Sequence, residues 1–183
     1  GDPDFYKVPV DELTSKEYSK AINQKLKLFE FMTPPPTPSS SIEPGEYMRK
    51  ESIETTHYSI ADQYGNIISN TYTLNSSYGS GVTIKGTGIL MNNEMDDFSA
   101  SPGTPNQFGL LGGEANKIVP EKRPLSSMTP TIILKDGIPY FATGTPGGSR
   151  IITSVLQSIL NIIDFDFEVS DAILKPRIHH QWY

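Results

Sequence analysis

An α+β fold, with helices packed over mainly antiparallel sheets, is what this sequence predicts, and three observations predict it. Apolar residues recur at helical spacing in two stretches, 15–31 and 149–164. Between them the grammar changes to short runs rich in Thr, Tyr, Ile and Ser, the residue types that suit a pleated sheet. The order is helix, strands, loop, strands, helices, which layers more readily than it alternates.

Thr14-Ser15-Lys16-Glu17 has capping-box character, and Tyr18, Ala21, Ile22, Lys25, Leu26 and Phe29 follow on one face, so a helix is expected over 15–31 with its apolar stripe in a core. Residues 33–45 carry prolines at 34, 35, 36, 38 and 44 and three consecutive serines, and read as an exposed, semi-extended linker. Strands over 55–62 and 67–75 around Tyr64-Gly65-Asn66 make a hairpin. Further strands are expected over 88–92, 131–135 and 139–143, the last two joined by Asp136-Gly137. Residues 96–127 form one long irregular stretch, the length of a lid or binding loop, and 102–113 within it is expected to be a mobile cover carrying Phe108. A buried helix follows over 149–164, then a short one capped by Ser170 and stopped before Pro176.

A chain of 183 residues suits one domain. Fifteen Lys and Arg against 21 Asp and Glu give a net charge of -6, the wrong sign for a nucleic-acid partner. With no cysteine there is no disulfide framework, thiolate metal site or cysteine nucleophile. The most apolar run, 151–163, carries Thr153, Ser154, Gln157, Ser158 and Asn161, so no membrane span is expected. His57, His179 and His180 lack metal-ligand spacing. Gly1-Asp2-Pro3 offers no targeting signal, and the chain reads as a piece of something longer.

Four stretches hold residues with chemical capacity. A hairpin turning near Gly65 sets Thr55 opposite Thr73 or Leu74, and alternation puts Thr73 and Asn75 on one face, so Thr55, Thr73 and Asn75 form a polar cluster at one sheet end or are ordinary strand threonines. Gly147-Gly148-Ser149 lies between a strand and a helix, either an anion site of backbone N–H groups or a tight turn needing glycine. Asn92-Asn93-Glu94-Met95-Asp96-Asp97 gathers three carboxylates, as a binding cluster or a solvated loop. Arg123-Pro124-Leu125-Ser126-Ser127-Met128 offers two hydroxyls to a carboxylate or to a turn.

Taken in order and spacing, Glu54-Thr55-Thr56-His57-Tyr58, Asn92-Asn93-Glu94-Met95-Asp96-Asp97-Phe98, Lys122-Arg123-Pro124-Leu125-Ser126-Ser127-Met128 and Gly144-Thr145-Pro146-Gly147-Gly148-Ser149-Arg150 resemble the gamma-glutamyltranspeptidase family. Residues 1–54 resemble the end of its large subunit, helix plus linker, and 55–183 the catalytic portion of its small subunit. The resemblance implies an N-terminal-nucleophile hydrolase fold, an αββα sandwich here lacking part of the large subunit. It implies a precursor that cuts itself at Glu54-Thr55 and then uses Thr55 as the nucleophile on gamma-glutamyl amides such as glutathione. A threonine hydroxyl needs a base, and a freed α-amine of pKa about 8 can serve.

By the same resemblance Thr73 hydrogen-bonds the nucleophile, Gly147 and Gly148 form the oxyanion hole, and Asn75, Glu94, Asp97, Ser126 and Ser127 hold the substrate's α-amino and α-carboxylate ends. No cofactor is implied. The implied partners are gamma-glutamyl small molecules, amino-acid or peptide acceptors and the rest of the large subunit, and the implied location is periplasmic or extracellular. The family's α-carboxylate-binding arginine lies in large-subunit sequence not present here, and the family continues past Tyr183, so this piece alone is expected to be inactive. Phe108 falls where a tyrosine often gates the lid loop, which leaves an aromatic cover without the hydroxyl. The alternatives are an amidase or acylase of the same fold and a non-catalytic anion-binding fragment.

Overall fold

The computed structural model describes residues 1–32 and 54–180, and the proline-rich linker expected over 33–45 lies outside them. The chain divides into two compact units, Gly1–Lys50 and Glu51–Tyr183.

In the first unit a single turn, α1 (Val10–Leu13), leads into α2 (Lys16–Met32). Ser15 caps α2 as its sequence predicts: its hydroxyl accepts the Tyr18 N–H at 3.0 Å and donates to the Glu12 carbonyl at 2.7 Å, satisfying one of the orphan donors of the first turn. The stripe expected to be core is not buried. Tyr18 and Ile22 are exposed and Leu26 is 62% exposed.

The second unit starts with a hairpin of β1 (Thr56–Ala61) and β2 (Ile67–Tyr72). Asp62 builds its turn, accepting the N–H groups of Tyr64 and Asn66, each at 2.9 Å, while Gly65 takes the left-handed conformation, φ 85°. The resulting register places Thr56 opposite Tyr72, His57 opposite Thr71 and Ser59 opposite Ser69. Thr55 and Thr73 lie just beyond the last paired rung. A second hairpin joins β3 (Thr131–Lys135) to β4 (Ile138–Thr143) through Asp136 and Gly137, both at positive φ, 54° and 79°, which is the primed turn that matches strand twist. The two hairpins are separate two-stranded sheets, and the Ser69 hydroxyl donates to the Thr143 carbonyl at 3.1 Å between them.

No strand forms over 88–92. Gly86 and Gly88 sit at φ 81° and 74°, off the extended path, and only an isolated bridge pairs Thr83 with Leu90. The long stretch after it is not shapeless. Short 3₁₀ turns at Glu94–Asp97 and Glu114–Asn116 and a bridge between Pro105 and Leu111 fold it back on itself.

A 3₁₀ turn, Gly148–Arg150, enters α3 (Ile151–Ile163), followed by α4 (Val169–Leu174). The expectation of a buried helix is half right. Ile151 and Val155, one turn apart, are buried with Ala172 of α4, whereas Ile152 and Leu156 are 49% and 52% exposed. Ser170 lies inside α4 rather than at its cap; Glu168 takes the cap position and makes no side-chain cap bond. Lys175 turns extended before Pro176, as a residue preceding proline must. Among the described residues no helix is long and apolar enough to cross a membrane.

Candidate functional site

A cavity of about 330 Å³ is walled by residues from the open end of the first hairpin, from the long loop and from the entry to α3, with His179. Thr55 reaches it from the foot of β1, while Thr56, whose side chain alternation sends to the other face, does not line it. Thr73 and Asn75 enter from beyond the end of β2, and the expected strand alternation is not what brings them together. β2 stops at Tyr72, and Asn75 is buried in the left-handed conformation, φ 75°, with its N–H donating to the Thr73 hydroxyl at 2.9 Å. Asparagine tolerates that conformation better than most residues.

The acidic turn supplies the opposite wall. Asp97 lines the cavity, and Glu94 lies in the same 3₁₀ turn without lining it. Burial, with Glu94 and Asp96 adding repulsion, lifts the Asp97 carboxyl to about 6, and burial raises Glu94 as well. Two carboxylates held against ionisation in one turn form a site that a cation would relieve.

Ser126 and Ser127 arrive from the end of the long loop, and the Ser127 hydroxyl donates to the Gly148 carbonyl at 3.0 Å. Gly147 and Gly148 are consecutive residues at φ 133° and 55°, a path that a side chain would strain. Gly148 lines the cavity; Gly147 precedes it as the cap of the 3₁₀ turn. Phe108 also lines the cavity, in the position of an aromatic cover.

Sequence reasoning missed Asn116. It is buried, its amide donates to the Asp97 carbonyl at 2.7 Å, its side-chain oxygen accepts the Leu125 N–H at 2.9 Å, and its own carbonyl accepts the Ser99 N–H at 2.9 Å. One side chain thus ties the acidic turn to the serine pair. No local pattern betrays this, because its partners are 19 and 9 residues away.

All 183 residues match the sequence model described as gamma-glutamyltranspeptidase. The chain belongs to that family. It is 53% identical over 182 residues to the glutathione hydrolase proenzyme of Escherichia coli, covering all of this chain and 30% of that protein, so it spans about a third of the length of such curated relatives. A family relative with another name, the acylase ACY 1 proenzyme of a Pseudomonas strain, is 38% identical over 177 residues, 97% of this chain and 28% of that one. Among solved structures, a threonine-to-alanine mutant of Helicobacter pylori gamma-glutamyltranspeptidase is 59% identical with a TM-score of 0.66, over 69% of this chain and 68% of that one. The mixed helix-and-sheet architecture is therefore that of a gamma-glutamyltranspeptidase piece.

Proposed function

We propose that the protein containing this chain is a gamma-glutamyl hydrolase and transpeptidase that acts on glutathione-like amides with Thr55 as nucleophile. The observation that carries the reading is the gathering of Thr55, Thr73, Asn75, Asp97, Ser126, Ser127 and Gly148, from five separate stretches of sequence, on one cavity. Residues 1–54 are the end of the large subunit and 55–183 the catalytic part of the small one, together a portion of an αββα N-terminal-nucleophile sandwich.

Cleavage at Glu54-Thr55 frees the Thr55 α-amine. It takes the proton of the Thr55 hydroxyl as the oxygen attacks the gamma-carbonyl, and the tetrahedral oxyanion is held by the N–H groups of Gly147 and Gly148. Collapse returns the proton to the departing amine and leaves a glutamyl ester on Thr55. Water then completes hydrolysis, or an amino-acid or peptide amine completes transfer. Thr73 orients the hydroxyl. Asp97, Glu94 and Asn75 receive the α-ammonium, and Ser126 and Ser127 the α-carboxylate. That carboxylate also needs the arginine of the remaining large subunit, so the chain by itself is inactive.

The acylase relative supports a second reading, in which the same nucleophile serves a different acyl group. Asp97 on the cavity wall, its carboxyl raised by burial and by its acidic neighbours, favours an acyl group that carries an ammonium, as glutamyl does. In the complete precursor, Thr55→Ala should abolish self-cleavage and transfer, Thr55→Ser should keep some of each, and Thr56→Ala should remain cut and active. A mature chain beginning at Thr56, or normal cutting of Thr55→Ala, overturns the assignment.

A further inference from the structure

His57 stands two residues after Thr55, so an extended path sends both side chains to one face. Both of its ring nitrogens are engaged within the hairpin: Nδ1 with the Thr71 hydroxyl at 2.7 Å and Nε2 with the Ser59 hydroxyl at 3.1 Å. Two hydrogen bonds, the shorter of them part-buried, hold the ring against the hairpin. Desolvation holds the imidazole below the ordinary histidine value, which keeps it neutral near pH 7, one nitrogen donating and the other accepting.

Against this immobilised ring lies Gly144. A Cβ built there would stand 2.2 Å from Nδ1 and 2.3 Å from Cε1 of His57, far inside any contact distance. Gly144 is not in the left-handed region, unlike Gly147 and Gly148, so its glycine character answers to space rather than to backbone conformation. One residue earlier, Thr143 is tied to the same hairpin through the Ser69 hydroxyl. Gly144 opens the segment that ends at Gly148, and Pro146 within it has a fixed φ. A displacement at Gly144 therefore reaches Gly147 and Gly148 with little slack to absorb it.

We propose that His57 is a positioning residue: its locked imidazole is the seat of Gly144, and it sets the Gly147–Gly148 backbone donors at working distance from Thr55. This rests on the reading of Thr55 as nucleophile and of the two glycines as the oxyanion hole. His57 touches no reacting atom. It couples the strand that carries the nucleophile to the loop that stabilises its transition state.

The test uses the complete precursor, with gamma-glutamyl-p-nitroanilide as donor and rates expressed per titrated active site, so that unfolded or uncut protein does not count. Gly144→Ala should lower kcat about tenfold or more and raise KM by less than kcat falls, because of the glutamate-holding side chains only Ser127 is tied to this segment, through the Gly148 carbonyl. His57→Ala should lower kcat less, and the pair His57→Ala/Gly144→Ala should recover to within about threefold of His57→Ala alone, since the ring that the new methyl strikes is gone. Multiplicative losses in the pair, or an unchanged kcat in Gly144→Ala, overturn the proposal. Should Gly144→Ala fail to fold or cut, His57→Gln decides instead: a lowered kcat at constant KM supports the seat, and wild-type kcat refutes it. Thr55→Ala runs alongside. Activity in that variant sinks the nucleophile reading itself, whereas an inactive Thr55→Ala with an uncoupled His57–Gly144 pair sinks only this proposal.

Discussion

Asp62 and Asp97 both sit in short turns that pair acid with amide side chains, and their carboxyls are shifted in opposite directions. Asp62 is exposed, and its carboxylate accepts the N–H groups of Tyr64 and Asn66 and, at 2.7 Å, the Asn66 side-chain amide, which together hold it below the usual carboxylate range. Asp97 is half-buried and, with Glu94 and Asp96 beside it, is pushed up to about 6. The first carboxylate is satisfied by its own turn. The second is left wanting a cation, and on the proposed reading the cation is the substrate's ammonium group. The difference separates an aspartate that builds structure from one that binds, although a reader of the sequence sees two similar turns.

The largest effect that would sharpen this contrast is on donor binding. In the complete enzyme Asp97→Asn should raise KM for a gamma-glutamyl donor by about thirtyfold or more, the cost of removing one member of a desolvated charge pair. The wild-type kcat/KM should fall more steeply below about 6 than that of Asp97→Asn, because protonated Asp97 no longer attracts the ammonium, whereas protonation of the Thr55 α-amine lowers both profiles alike. Stability moves the other way. The folded pKa lies above the ordinary 3.8, so the folded state keeps a proton that the unfolded chain loses, and this contribution disappears as pH rises from about 4 to about 6. Urea midpoints across that window should decline more for wild type than for Asp97→Asn.

A smaller effect is expected at Asn116. Asn116→Ala strands the Asp97 carbonyl and the Leu125 N–H, and should cost about 1–3 kcal/mol by urea titration, with a rise in donor KM because both walls loosen. The smallest belongs to Asp62→Ala, which should lower the urea midpoint less than Asn116→Ala and leave kcat/KM within about twofold. Its folded pKa is depressed, so its stabilisation is present above the ordinary value and lost as pH falls through the folded one. A donor KM as damaged by Asp62→Ala as by Asp97→Asn would break the comparison.

What the sequence discloses follows from the range of the forces involved. The β1–β2 register was legible because it is local: an Asp62-x-x-Gly65-Asn66 turn and a period of two set Thr56 opposite Tyr72, with Thr55 and Thr73 just beyond the paired rungs. The β3–β4 turn was legible for the same reason, through Asp136-Gly137. Asn75 reaches the cavity by a geometry other than the expected one, since alternation assumes a strand that has already ended at Tyr72. The strand expected over 88–92 failed because Gly86 and Gly88 turn the backbone left-handed. Burial of α2 and of the outer face of α3 was not legible, because an apolar stripe says that a surface wants covering without saying which polypeptide covers it. Asn116 was invisible, being defined wholly by distant partners.

Asn116 has a further consequence in the kinetics of local opening. Its carbonyl holds the Ser99 amide hydrogen and its side chain holds that of Leu125, so these two amides, far apart in sequence, depend on one buried residue. Displacement of Asn116 exposes both amides at once, so its loss should speed hydrogen exchange at Ser99 and at Leu125 together, two positions that share no neighbourhood in sequence.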